Sequence, residues 1–347
     1  MLVAVTGGTG FVGAHSVAAL LRRGHQVRLL VRDRAAVARG LAPLGVDPAA
    51  VETVAGEVTD RRRVAEVVCG AQAVLHAASV YSFDSRQRET IRRTNEHGTE
   101  LVLAAARRAG AERIVHVSSV GALFPTGGAP VREDTPVGWP AEPYLASKAA
   151  AERIARQHQQ DGAPVLISYP PALLGPHDPR LGDQTARLRD VLRGLMPIWP
   201  LGGFPVGDVR DTAELHAGLM TAPRTGLDRH FGPGTFLPTR QYVRTLRELT
   251  GRRLPAVFLP ARAVLPVGRL AGLLQPHWPW HIPAEYGAVY TCAYATEVHA
   301  AAGTAALPAR SVADTMADTV RWLHRNGRLS DRQAGLLAAE KEPEPTG

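Results

Sequence analysis

The chain has 347 residues, 45% of them hydrophobic and 21% charged, which is enough for one large core or for two lobes sharing a cleft. Its formal charge of +8 would suit a nucleic-acid partner, but the arginines are scattered and no aromatic residues are interleaved with them, so no nucleic-acid platform is expected. Such a solvated basic surface attracts small anions instead, and two cysteines without metal spacing, Cys69 and Cys292, point to neither a disulfide framework nor a metal site.

The first residues, MLVAVTGG, enter an apolar strand with no signal-type run before it, so a cytoplasmic location is expected. LVAVTG reads as a strand, and VGAHSVAALLRRG as a helix closed by Gly24. QVRLLV and VETVAG are the next strands, and DRRRVAEVVCG is a helix capped by Asp60 and ended by Gly70. AVLHAAS is the fourth strand, NEHGTELVLAAARRAG a long helix, and RIVHVSSV the fifth strand. A Gly/Pro-rich loop runs from Gly121 to about Pro143, then a helix carries YLASK, and PVLISY is strand six. This alternation predicts an α/β fold, a doubly wound parallel sheet of Rossmann type.

After about residue 172 the alternation is lost and prolines and tryptophans become frequent, so 173–335 is expected to be a smaller, irregular substrate lobe. Segments within about 204–235 are expected to return to the first domain, and 336–347 to form a disordered tail. The stretch 254–274 is too interrupted by proline and arginine to span a membrane. It reads as a lid or pocket helix, with association at a membrane surface as the alternative.

TGGTGFVG, residues 6–13, places Gly7, Gly10 and Gly13 between the first strand and the first helix. In that context glycines tighten the turn, admit a pyrophosphate to the backbone and let helix pack on strand, so the loop predicts dinucleotide binding. Phe11 and Val12, in the same turn, are counted with it. At the end of strand two, where an NAD site usually carries an acid, the chain reads LLVRDRA. Arg32 can pair with a 2′-phosphate, which predicts NADP rather than NAD, although a two-residue shift in register would let Asp33 serve as the acid.

With VSSVGA at 117–122 and YLASK at 144–148 added, the chain resembles the extended short-chain dehydrogenases/reductases of the NAD(P)-dependent epimerase/dehydratase superfamily. LHAAS, TNEHGT, YPPALLGP and VGDVRDTAELHAG extend the match from residue 3 to about 216. The resemblance implies that Tyr144 exchanges a proton with the reacting oxygen. It implies that Lys148 lowers the tyrosine's pKa and holds the nicotinamide ribose, and that Ser119 hydrogen-bonds the substrate. By the same resemblance Ala77, Ala78, Pro170, Pro171 and Leu173 line the cofactor, Glu57 and Val58 meet the adenine, and Ser118 faces the cofactor or packs. Asn95 takes the family's asparagine position and is counted with the cofactor-binding set, as a structural brace rather than a catalyst, and His76 is a core or loop histidine rather than a base.

Val120-Gly121 stands where sugar dehydratases resemble one another in an Asp-Glu pair, and Tyr169-Pro170-Pro171-Ala172 replaces an Arg-Pro-x-Asn pattern. Both departures favour a likeness to the dihydroflavonol-reductase-like and hydroxysteroid-dehydrogenase-like branch. The implied activity is NADP(H)-dependent hydride transfer to or from a fairly apolar small molecule. An NAD(P)-retaining nucleotide-sugar epimerase and a non-catalytic NADP-binding sensor are the alternatives, and the resemblance allows a homodimer. The tryptophans and aliphatics of LMPIWPLGGF and HWPWHIPAEYGAVY are expected either to wall a substrate pocket or to pack the small lobe.

Overall fold

The computed structural model describes residues 1–81, 87–224, 226, 228–274, 286–300 and 309–339. In chain order it runs β1 (Leu2–Thr6), α1 (Phe11–Arg22), β2 (Gln26–Val31), α2 (Ala35–Leu41), β3 (Val51–Ala55), α3 (Arg61–Val68), β4 (Ala73–His76), α4 (Arg88–Arg92), α5 (Gly98–Arg108), β5 (Arg113–Val117) and α6 (Pro143–Gln160). Then come β6 (Val165–Tyr169), β7 (Ala172–Leu174), α7 (Asp183–Leu192), β8 (Ile198–Leu201), β9 (Gly203–Asp208), α8 (Val209–Leu219), β10 (Arg229–Phe231) and β11 (Thr235–Pro238). The chain closes with α9 (Thr239–Thr250), β12 (Val257–Pro260), α10 (Ala261–Leu274), α11 (Tyr286–Tyr294), α12 (Val312–Arg325) and α13 (Asp331–Ala334).

Seven strands form one parallel sheet in the order β3-β2-β1-β4-β5-β6-β10. The inner strands read as continuous Val/Leu/Ile runs because helices cover both faces. On one face Val64, Val67, Val102, Leu103 and Ala106 pack with Ala155 of α6; on the other, Val17, Leu20, Val37 and Ala213 pack over Val3, Val5 and Leu29. This is the doubly wound α/β sheet expected, with the strand order reversing between β1 and β4. The carboxyl ends of those two strands flank the crevice where such sheets bind nucleotides.

Two small sheets organise the C-terminal part, β11-β9-β7 and β12-β8. Their core joins Trp199, Phe204, Tyr242, Leu246, Met316 and Leu323, so both aromatics of LMPIWPLGGF pack the lobe itself. Within 204–235 it is α8, packed beside α1, and β10, paired with β6, that lie with the main sheet, while β9 stays in the small one. The start of the expected tail is structured: Gly335–Ala338 make a 3-10 turn and Leu337 is buried in the lobe core. Residues 340–347, and 277–285 of the second aromatic stretch, lie outside the described residues.

A buried histidine, His216, stitches layers together. Ser16 donates its one hydroxyl proton to Val12 O (2.8 Å), so His216 Nδ1–H donates to Ser16 Oγ and its Nε2 accepts from Ser168. The ring thereby ties α1, α8 and β6, and burial pulls its pKa down to about 3. It stays neutral and structural.

Candidate functional site

The turn after β1 shows why it must be glycine. Gly7 has φ +77°, and a Cβ there would lie 2.6 Å from the Ala77 carbonyl carbon and the Ala78 nitrogen. Gly10 N donates to Gly7 O at 3.0 Å and caps α1, and Gly13 packs so closely that its Cβ would stand 2.1 Å from Gly7 O. Loop, helix N-terminus and the Ala77–Ala78 backbone thus meet at the sheet's switch point. Space for an approaching pyrophosphate and free helix amides belong to that geometry. Phe11 and Val12 open the helix, and Phe11 packs edge-on against His15 (5.5 Å).

Thr6, at the end of β1, donates to His76 Nδ1 at 2.7 Å, and His76 Nε2–H donates to Thr99 Oγ1 at 2.9 Å. That direction follows because Thr99 uses its own proton on Asn95 O. Burial, with the Lys148 charge adding to it, lowers His76 to about 3, so it is a neutral strut rather than a base. Asn95 extends the strut. Its side chain accepts from Val80 N (2.8 Å) and donates to Val80 O (3.1 Å) and Ser147 Oγ (3.0 Å). It sits in a π turn, Arg93–His97, that joins α4 to α5, so the helix begins earlier than the expected Asn95. The wider turn frees the amide to lock the post-β4 loop onto α6.

Lys148 and Tyr144 lie one turn apart at the start of α6. Lys148 is buried, and its Nζ donates to Val117 O (2.9 Å), the residue at the end of β5 just before the two serines. Burial lowers its ammonium to about 8, with the Glu152 carboxylate one turn on acting in the opposite sense. Ser119 is half-buried and its Oγ accepts from Gly121 N (3.1 Å), capping a 3-10 turn at Val120–Leu123. Ser118 is buried, and among the described residues its Oγ has no partner, leaving a hydroxyl for a ligand group or water at the same strand end. Pro170 O accepts from Val120 N (3.1 Å), and Pro171 is enclosed by Gly207, Gly232 and Gly234. Leu173 is buried in β7.

The periphery is less uniform. Arg32 and Arg34 are exposed at the end of β2, and among the described residues no carboxylate pairs with either. Asp33 is engaged within its own segment, accepting from Ala35 N (2.9 Å) and from Arg39 (2.6 Å). Glu57 is exposed, whereas Val58 packs toward the core, within 2.8 Å of where a Gly98 Cβ would be. Among the described residues no group of His, Cys, Asp and Glu could hold a metal ion, and no helix is long and apolar enough to cross a membrane.

Sequence reasoning missed the residues that surround Tyr144. Tyr81 packs edge-on against its ring (4.7 Å), and Glu142 and Asp183 bring carboxylates near it. Burial raises the Tyr144 phenol well above its ordinary value, and these neighbours push the same way, so the shift is upward and not the lowering by Lys148 that the resemblance implied: removal from water outweighs the lysine one turn away. Tyr81 and Asp183 arrive from distant segments and left no signal. Glu142 did leave one, since it precedes Pro143 at the first helical position and is therefore an N-cap. Its Oε2 accepts from Leu145 N at 2.8 Å.

Glu142 is 2% exposed, and burial raises its carboxyl from 4.5 to about 7. The folded state thus holds a proton that the unfolded chain releases above its ordinary pKa, so stability falls as pH rises from about 4.5 to about 7. Glu142→Gln keeps an oxygen for the cap and removes the charge. It is expected to leave Tm unchanged near pH 4 and to raise it by a few degrees at pH 8, equivalent to at most about 3 kcal/mol. A scan showing the same Tm difference at both pH values would remove this account.

The site can be set beside known proteins. "Sterol demethylase protein B" of Methylococcus capsulatus is 31% identical over 79% of this chain and 82% of its own length. A "Putative dihydroflavonol 4-reductase" of Synechocystis is 30% identical over 93% of the chain and 94% of the relative. Among solved structures, that of gox2253 superposes with a TM-score of 0.78 at 27% identity, covering 95% of this chain and 99% of the other. The model of the NAD dependent epimerase/dehydratase family matches residues 3–232. A glycine loop at the β1/β4 switch and a Tyr-x-x-x-Lys turn beside the β5 serines occupy that matched span, and the chain belongs to this family, the extended short-chain dehydrogenases/reductases.

Proposed function

We propose that the protein is an NADP(H)-dependent oxidoreductase that reduces a ketone or aldehyde, or oxidises a secondary alcohol, on a fairly apolar small molecule. The observation that carries this reading is the bond from Lys148 to Val117 O, which anchors the start of α6, with Tyr144 one turn earlier, to the strand end that Ser118 and Ser119 follow. The glycine turn, which a single Cβ would fill, fits a dinucleotide, with Ala77 and Ala78 beside it. The nicotinamide, when bound, supplies or accepts the hydride.

The chain's own residues do the rest. Tyr144, held protonated at neutral pH by burial and by its acidic neighbours, is poised as an acid toward a developing alkoxide. Lys148, whose charge is retained below about pH 8, lies one turn away to favour the phenolate that results. Ser119 hydrogen-bonds the reacting oxygen, and the buried Ser118 hydroxyl serves the cofactor side. Glu152 beside Lys148 and Asn95 beneath Ser147 keep the helix in place. The reductase reading is supported by relatives whose names carry a sterol and a dihydroflavonol, both less polar than a nucleotide sugar.

NADP specificity rests on Arg32 and Arg34 without carboxylate partners and on Asp33 bonded back to its own helix. NADPH is expected to bind at least about tenfold more tightly than NADH, a preference that one charge-assisted phosphate contact supports. Arg32→Ala should reduce it severalfold. Titrating both cofactors by fluorescence and then following NADPH absorbance over a carbonyl panel tests the reading. A preference for NADH defeats the Arg32 argument, and turnover without net consumption of NADPH replaces reduction with a cofactor-retaining reaction.

A further inference from the structure

The substrate lobe carries an apolar surface left uncovered among the described residues. Ile198 of β8 and Val257 of β12 are neighbours in register and are 57% and 58% exposed. Leu195 precedes them and Leu259 follows on the same strand face, while Trp199, pointing the other way, is buried. The strand pair leads straight into α10. One stripe of that helix (Ala261, Val264, Leu265, Gly268) faces inward or is half-buried. The opposite stripe (Ala263, Pro266, Val267, Leu270) is exposed, with Val267 at 59% and Leu270 at 57%. A helix apolar on both sides is stable at a surface only if something other than water meets its outer side.

Charge selects the occupant. No acidic residue occurs between Glu248 and Glu285, while Arg252, Arg253, Arg262 and Arg269 all fall in that interval. Among the described residues no carboxylate pairs with Arg240, Arg253, Arg262 or Arg269. Three of them lie over aromatic rings instead: Arg240 over Phe258 (4.9 Å), Arg262 over Tyr294 (6.0 Å) and Arg269 over Tyr286 (5.7 Å). Aliphatic side chains bordered by cation–aromatic pairs match the boundary between acyl chains and anionic headgroups. A second copy of the same surface would bring like charges together, which disfavours self-association through it.

We infer that the face formed by β8, β12 and the outer stripe of α10 docks reversibly on anionic phospholipid, placing the substrate lobe against a bilayer. The inference is independent of the reaction proposed above, since docking is read without turnover. A fairly apolar substrate would nevertheless be concentrated where such a face sits.

The test uses the full chain and cosedimentation with vesicles of phosphatidylcholine, alone or with phosphatidylglycerol as roughly one lipid in three. The wild-type protein should partition at least about tenfold more strongly onto the anionic vesicles, and lose most of that binding at high salt. Val267→Asp combined with Leu270→Asp should lower it about tenfold. Tm and NADPH affinity should be unchanged, because both side chains already face water. Equal partition onto neutral and anionic vesicles, or equal binding by the wild type and the double variant, overturns the inference. So does sedimentation equilibrium showing a dimer that the double variant abolishes while vesicles bind neither protein. Should the double variant unfold, the composition and salt dependence of the wild type decides alone.

Discussion

Tyr144→Phe is expected to lower turnover by roughly 10²–10⁴-fold, the range associated with loss of a positioned acid or base, while NADPH affinity stays nearly unchanged. The ring keeps its contact with Tyr81, and the helix keeps its Glu142 cap, its Asn95 brace through Ser147 and the Lys148 bond to Val117. Only the hydroxyl is lost. The pH profile carries a second signature of the same group. Because burial and nearby acids raise the phenol well above its ordinary value, reduction should proceed at neutral pH, where Tyr144 holds its proton. Alcohol oxidation, which needs the phenolate, should accelerate with rising pH. A Phe variant with wild-type turnover would remove Tyr144 from the chemistry and leave the family assignment standing.

Gly13→Ala is the other large effect, and it acts on binding. The new methyl would stand 2.1 Å from Gly7 O and 2.9 Å from Gly8 Cα, both backbone atoms that no side-chain rotation can move aside. Either the helix start shifts or the turn opens, and both displace the amides proposed to face the pyrophosphate. NADPH affinity is expected to fall by at least about tenfold, and stability by about 1–3 kcal/mol, a typical cost of overpacking. Fluorescence titration and thermal melts of the same sample separate the two losses. Wild-type affinity in a folded variant would show that this turn is not where the phosphates lie.

The two variants bear on parts of the site that were unequally legible in the sequence. The glycine turn and the Tyr-x-x-x-Lys turn are local: spacing within one loop or one helical turn decides which backbone and side-chain groups face together, whatever the rest of the chain does. Alternating strand and helix patterns likewise required a parallel sheet, because each short apolar strand needs helices on both faces. Asn95 as a brace and His76 as a core residue were readings from their places in motifs, and in the structure both side chains are held by hydrogen bonds.

What the tertiary structure decided is the environment. Tyr81 and Asp183 come from segments far apart in the chain, and only folding brings them to the phenol that Glu142 adjoins, so the upward shift of Tyr144 could not be read from its spacing to Lys148. The ordered β8–β12 and β7–β9–β11 sheets in the C-terminal part were missed because their strands are short, proline-bearing and paired across long separations. The 336–347 boundary placed Leu337 in a tail since nothing local marks it as core; it is buried only because α9, α12 and α13 close around it. Arg32 illustrates the division. Its place after strand two is written in the sequence, but that Asp33 is drawn off by Arg39 and Ala35 is a matter of side-chain geometry. Short-range chemistry follows from the order of residues. Burial, charge and exposed surface depend on which distant segments meet.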